Sequence, residues 1–278
     1  MLRTTRAATW AAVIALGLAA RLKPRVARAI VAVAIGTLGI AHGATDDATL
    51  VRVGFRPRGG RVTISLAYGS LAIVTFLAAR RAPKLAARAL QILSWFHFGH
   101  GDANFARACG SQVDARFEAA VRGAIPLFIA GNDPQSRAIA SGAVAFGIRH
   151  ALAGRYADAV DLALPAGLLL ASEPRLGFGI YFGLWHAVRH TMLLLERDAR
   201  GGSTRTRWQR FARESAPNVA IALAGGILAY ALARANGSTR VAMVGDGANE
   251  AIAGALILAI TVPHEIAVGI IERRTRTA

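Results

Sequence analysis

The chain holds a single cysteine, Cys109, in 278 residues. An intramolecular disulfide is therefore excluded, as is any cysteine-rich zinc or iron–sulfur site. Charge is also scarce: 18% of residues are Asp, Glu, Lys or Arg, against about 25% in an ordinary globular domain. Acids are the scarcer sign, with 16 Asp and Glu against 33 Lys and Arg, a formal net charge of +17. A basic excess of that size first suggests nucleic acid. Against this, 54% of residues are hydrophobic, and the arginines lie between long apolar runs. Membrane proteins decorate their loops in this way. No repeat of fixed period and no low-complexity linker interrupts the chain, so residues 1–278 read as a single integral-membrane domain.

The apolar runs predict helices over 7–20, 26–42, 62–80, 84–100, 118–131, 136–150, 158–172, 174–195, 216–235 and 248–271. Several approach the ~20 residues needed to cross a bilayer. The fold expected is all-α, a polytopic transmembrane bundle of about eight to ten helices. The 29 glycines, with abundant alanine, suit close helix approach in lipid. The first apolar run, after Arg3 and Arg6, reads as a membrane helix rather than a signal peptide, because more apolar helices follow. Orientation stays open. The basic stretches 52–61 and 197–213 read as cytoplasmic loops, but Lys23 with Arg25, and Arg80 with Lys84, would then face the other side.

Seven histidines, His42, His97, His100, His150, His186, His190 and His264, sit in or at the ends of these helices. Ionisable groups inside a membrane are costly and face the bundle interior. His186 and His190 are spaced i, i+4, which puts both imidazoles on one helix face. No Glu adjoins His186, so this is not the HExxH of zinc proteases. In a ten-helix reading His42, His97, His186 and His264 fall on helices running in one direction, at nearly one depth. Ligands of one metal must share a level, whereas scattered core histidines need not.

Carboxylates follow two of these residues closely, Asp46 after His42 and Asp102 after His97. Both are candidates to accept a hydrogen bond from a metal-bound imidazole. Both also suit solvated loops after a glycine-capped helix end. Aromatics crowd the same stretches: Trp95, Phe96, Phe98 and Phe105 in one, Phe178, Tyr181, Phe182 and Trp185 in the other. They suit the walls of a long apolar pocket, or an aromatic belt at the membrane surface. Imidazole suits zinc, copper, iron and nickel. A shell of four histidines closes a zinc site but leaves room for dioxygen on an octahedral iron.

Together these blocks resemble the Brp/Blh family of β-carotene 15,15′-dioxygenases, integral membrane proteins often linked to rhodopsins. Gly39-Ile40-Ala41-His42-Gly43-Ala44-Thr45-Asp46 is similar to the family's G-x-x-H-G-A-x-D. His97-Phe98-Gly99 with Asp102 is similar to H-F-G-x-x-D. The stretch Tyr181 to His190 is similar to Y-F-x-x-W-H-x-x-R-H, and Val262-Pro263-His264 lies in the last helix. The resemblance implies ferrous iron, Fe(2+), held by His42, His97, His186 and His190. His264, Asp46, Asp102, Tyr181, Phe182 and Trp185 then fall behind the ligands or in the substrate pocket. It also implies a multi-pass enzyme of the cell inner membrane, cleaving β-carotene with dioxygen into two retinals. The high arginine content and Glu265 depart from the family pattern. Three rivals stand beside it. A bis-histidine haem carrier needs histidines on facing helices, which the i, i+4 pair does not supply. A di-iron desaturase needs more histidine boxes. A proton-coupled transporter could use buried His and Asp.

Overall fold

Proline marks where several helices start. In the computed structural model, helices begin on Pro24, Pro83, Pro134 and Pro174. Its fixed φ suits the first helical position, and its missing N–H costs nothing there. The structure describes residues 1–112, 117–128, 134–235 and 248–277. The elements are α1 (Leu2–Leu22), α2 (Pro24–Ala34), a π-helical turn π1 (Ile35–Gly39), α3 (Asp46–Arg52), α4 (Gly60–Arg81), α5 (Pro83–Ala108) and α6 (Phe117–Phe128). There follow α7 (Pro134–Leu152), α8 (Tyr156–Ala171), α9 (Pro174–Ile180), a second π turn π2 (Tyr181–His186), α10 (Ala187–Glu196), α11 (Thr204–Ala235) and α12 (Ala248–Thr277). No strand occurs among the described residues, so the protein is all-α.

The apolar pattern locates the helices but not their interruptions. The runs 26–42 and 174–195 each contain a π turn. Helix α3 was not expected. It is short, with Asp46 and Asp47 in its first turn and Arg52 in its last, the polarity a helix dipole favours. The basic stretch 197–213, expected as loop, is helical from Thr204, where the Thr206 N–H donates to Ser203 Oγ at 3.2 Å. The run 118–131 is helical to Phe128, and its last three residues lie outside the described residues.

The chain forms two compact units, one from Met1–His42 and Trp95–Trp208, the other from Gly43–Ser94 and Gln209–Ala278. In the first, Val13, Leu16, Val31, Phe98, Ile180 and Trp185 belong to one buried apolar cluster. Helices α5 and α6 cross with backbones in contact. A Cβ on Gly99 would strike the Ala119 carbonyl, and one on Gly123 the Trp95 carbonyl. In the second unit α4 lies along α12 through Ala79, Ala255 and Leu258, and Ile64 and Ala267 enclose Leu50 of α3.

Among the described residues three stretches are helical, long and apolar enough to cross a membrane: Gly60–Arg81, Thr204–Leu232 and Ala255–Thr275. Their outer faces carry exposed Leu66, Ile73, Ile221 and Ile227. Apolar surface of that extent is avoided in water and suits lipid.

Candidate metal centre

Both π turns serve one place in the first unit. A π turn adds a residue to a helical register, and such turns recur at functional sites. Phe182 Cε1 lies 3.0 Å from where a Cβ on Gly39 would stand, and Ala34 Cβ lies 3.1 Å from one on Gly183. The glycines let π1 and π2 pack closely. His42 lies just past π1, with its N–H bonded to the Leu38 carbonyl at 3.0 Å. His186 is the last residue of π2, His190 lies one turn on in α10, and His97 comes from α5.

The four imidazoles form one cluster. His42 lies 6.0, 5.7 and 5.3 Å from His97, His186 and His190, measured between ring centroids. His97 lies 4.6 Å from His186 and 6.3 Å from His190, and His186 lies 6.1 Å from His190. His42, His97 and His186 are buried, and His190 is half-buried. The Nε2 atoms of His97 and His186 stand 2.9 Å apart. Two nitrogens each ~2.1 Å from one ion, at a right angle, are about 3 Å apart. The same distance fits a hydrogen bond between one protonated and one bare nitrogen, so the tautomers decide which it is. The donor set, neutral imidazole alone, fits iron.

Asp102 stands behind His186. Its Oδ2 accepts from the Tyr181 hydroxyl at 3.1 Å and from Trp185 Nε1 at 2.9 Å. Its Oδ1 faces His186 Nδ1 at 3.6 Å, an ion-pair distance rather than a hydrogen bond. A carboxylate there favours the proton on Nδ1 and leaves Nε2 bare for a ligand. Gly101 makes room, because a Cβ on it would sit 2.7 Å from His186 Cε1. Tyr181 and Trp185 are enclosed, at 1% and 0% exposure, and act as supports of Asp102. Phe182 is partly open. Its ring meets His42 edge-on at 5.9 Å and stacks on Phe178 at 6.2 Å.

His100 and His150 have other surroundings. His100 is exposed and stacks on Phe96. His150 Nε2 lies 3.3 Å from Glu118. His264 belongs to the second unit, where its Nδ1 lies 2.7 Å from Asp46 Oδ2. Burial pushes the Asp46 carboxyl above its ordinary pKa, and the imidazole works against that shift. Burial likewise raises the Cys109 thiol, which disfavours the thiolate a metal would need.

One group escaped the sequence reading. Asp161, fully enclosed, accepts from Arg6 Nε at 3.0 Å, Trp10 Nε1 at 2.8 Å and Arg189 Nη2 at 2.9 Å. Arg6 also bonds Asp158 at 2.6 Å, and Arg122 lies between Glu118 at 3.5 Å and Asp161 at 3.7 Å. The available signal was a lone Asp or Arg within an apolar run, which lipid penalises unless a partner is near.

The family model for beta-carotene 15,15'-dioxygenase matches residues 33–131 and 129–272. The chain belongs to this family. The family is one of dioxygenases, and the matched stretches contain all four clustered histidines, Asp102 and His264. Helix α1, which supplies Arg6 and Trp10, precedes them. No curated protein and no solved structure matches the chain.

Proposed function

We propose that this protein cleaves β-carotene at its central 15,15′ double bond with dioxygen, giving two retinal molecules. The centre is iron(II) held by His42, His97, His186 and His190 in a multi-pass protein of the cell inner membrane. The observation that carries the reading is the convergence of four imidazoles from three parts of the first unit, with ring centroids 4.6 to 6.3 Å apart. The family match supports the reaction, and the apolar helices support a membrane setting in which a carotene is soluble.

Bound iron(II) supplies the redox chemistry by which dioxygen reacts with a double bond, so that one C=C and the O=O bond are broken and two aldehydes form. The protein's own part is positional. Asp102 faces His186 Nδ1 and favours the tautomer that presents a bare Nε2. The stacked rings of Phe178 and Phe182 offer an apolar wall on which a polyene lies beside His42. Fixing the chain along that wall decides which double bond meets the centre. The enclosing apolar side chains keep water from the reactive site.

The test is expression in carotene-accumulating bacteria, with retinal measured in the pigment extract and iron in the purified protein. Retinal with about one iron per chain is expected, and His186→Ala should abolish both. Full iron and activity in that variant would overturn the ligand set. Retinal absent from the wild type would overturn the reaction. Phe182→Ala should keep its iron and release apocarotenals longer than retinal.

A further inference from the structure

We propose that Arg189 is a positioning residue for the His186 imidazole, acting through Trp185 and Asp102 and anchored in turn by Asp161. The proposal rests on the metal-centre reading above and assigns a role to a residue that contributes no ligand.

The chain of contacts is continuous within the first unit. Arg189 is buried, with a side chain 1% exposed. Its Nη2 donates to Asp161 Oδ1 at 2.9 Å, and its Nε to Thr9 Oγ1 at 3.1 Å. These bonds fix the plane of the guanidinium. That plane covers the indole of Trp185, with the central carbon 3.4 Å from the ring centroid, and reaches Phe105 at 4.9 Å. A desolvated guanidinium on an indole face is a strong cation–π contact. The indole's one N–H is committed to Asp102 at 2.9 Å. Asp102 faces His186. A tilt of the indole therefore moves the carboxylate that sets the imidazole.

Asp161 suits the anchoring role. It is enclosed and also bonded by Arg6 and Trp10 of α1. Its Oδ1 accepts from both Trp10 of α1 and Arg189 of α10, and its Oδ2 from Arg6 of α1, so it ties α10 to α1 through α8. Charge pairing alone would be met by a lysine at 189. A flat group that stacks while donating through two separate N–H groups, to Asp161 and to Thr9, is met only by arginine. That difference makes the role testable.

The experiment titrates the purified, iron-stripped full-length protein with cobalt(II), following affinity and the visible d–d spectrum. Wild type, His186→Ala, Arg189→Lys and Trp185→Phe are compared. Trp185→Phe keeps a ring beneath Arg189 but deletes the donor to Asp102, and serves if Arg189→Lys does not fold. Loss of a group that orients a metal ligand typically lowers affinity 10–100-fold. Arg189→Lys and Trp185→Phe are both expected to show a loss in that range with an altered spectrum. Wild-type affinity and spectrum in either variant, while His186→Ala binds no cobalt, would overturn the positioning role alone. A wild type that binds no cobalt would overturn the metal centre itself.

Discussion

The two units differ in how deeply they enclose their arginine pairs. In the first, Arg189 and Asp161 meet with side chains 1% and 0% exposed, and Arg6 and Arg122 are buried beside them. In the second, Arg61 meets Asp47 with its own side chain 42% exposed, and Arg52 meets Glu214 at 28%. Both units expose apolar residues, the second along Gly60–Arg81 and Ala255–Thr275 and the first at Leu18, Leu22, Val33 and Leu152 among others. Enclosed charge pairs cost desolvation and hold geometry tightly, whereas half-exposed pairs do neither. The four clustered histidines share a unit with the enclosed pairs. A centre that must hold several ligands to within a fraction of an ångström gains from neighbours with few alternative positions.

The sharpest way to break this contrast is Asp161→Ala. It leaves Arg6, Arg122 and Arg189 without a shared carboxylate, and breaking such a pair costs about 3–5 kcal/mol. Thermal denaturation in detergent should show the largest loss of any single change considered. A loss no greater than that of a surface pair would mean that the enclosed network is not what stiffens the first unit. Next comes Ile73→Arg, on the exposed face of α4. An arginine near a span's centre costs roughly 2.5–3.5 kcal/mol on insertion scales. The fraction of chain recovered in membranes should fall, and normal recovery would show that this face does not meet lipid. Gly101→Ala should cost about 1–3 kcal/mol by overpacking and should lower the iron bound, because its Cβ meets His186. Unchanged iron content would show that the imidazole has room to move. Smallest is Arg61→Gln, where removing a half-exposed pair costs about 0–1 kcal/mol. A melting temperature close to wild type is expected, and a large drop would erase the distinction between the units.

Much of this was legible in the chain. Low charge with long apolar runs pointed to an all-α membrane class, and Pro24, Pro83, Pro134 and Pro174 each head a helix. The four clustered histidines stood out through spacing and the resemblance of their blocks. Three features did not. The π turns carry no distinct sequence signal, because Tyr-Phe-Gly-Leu-Trp-His reads equally well as α-helix. That hid the difference between Trp185, which is enclosed, and Phe182, which is not, since residues three apart part company in a wider turn. Arg189 and Arg6, two of the partners of Asp161, lie 28 and 155 residues from it, so only tertiary packing brings them together. Helix α3 is too short and too acidic for an apolar period to announce it.

The π turn at Tyr181–His186 makes the centre depend on how many residues there are as well as on which. Each residue of an α-helix turns the chain by about 100°. Deleting one residue from this turn, with every histidine retained, would let the segment relax to α-helical register and rotate α10 relative to α9. His190 would then swing away from His42, Asp102 would lose the indole that steadies it, and Arg189 would leave Asp161. Point substitutions across this stretch will therefore vary in severity with the side chain removed, whereas single-residue insertions and deletions should be uniformly damaging. A scan of length variants would reveal that rigidity of count more directly than any alanine scan.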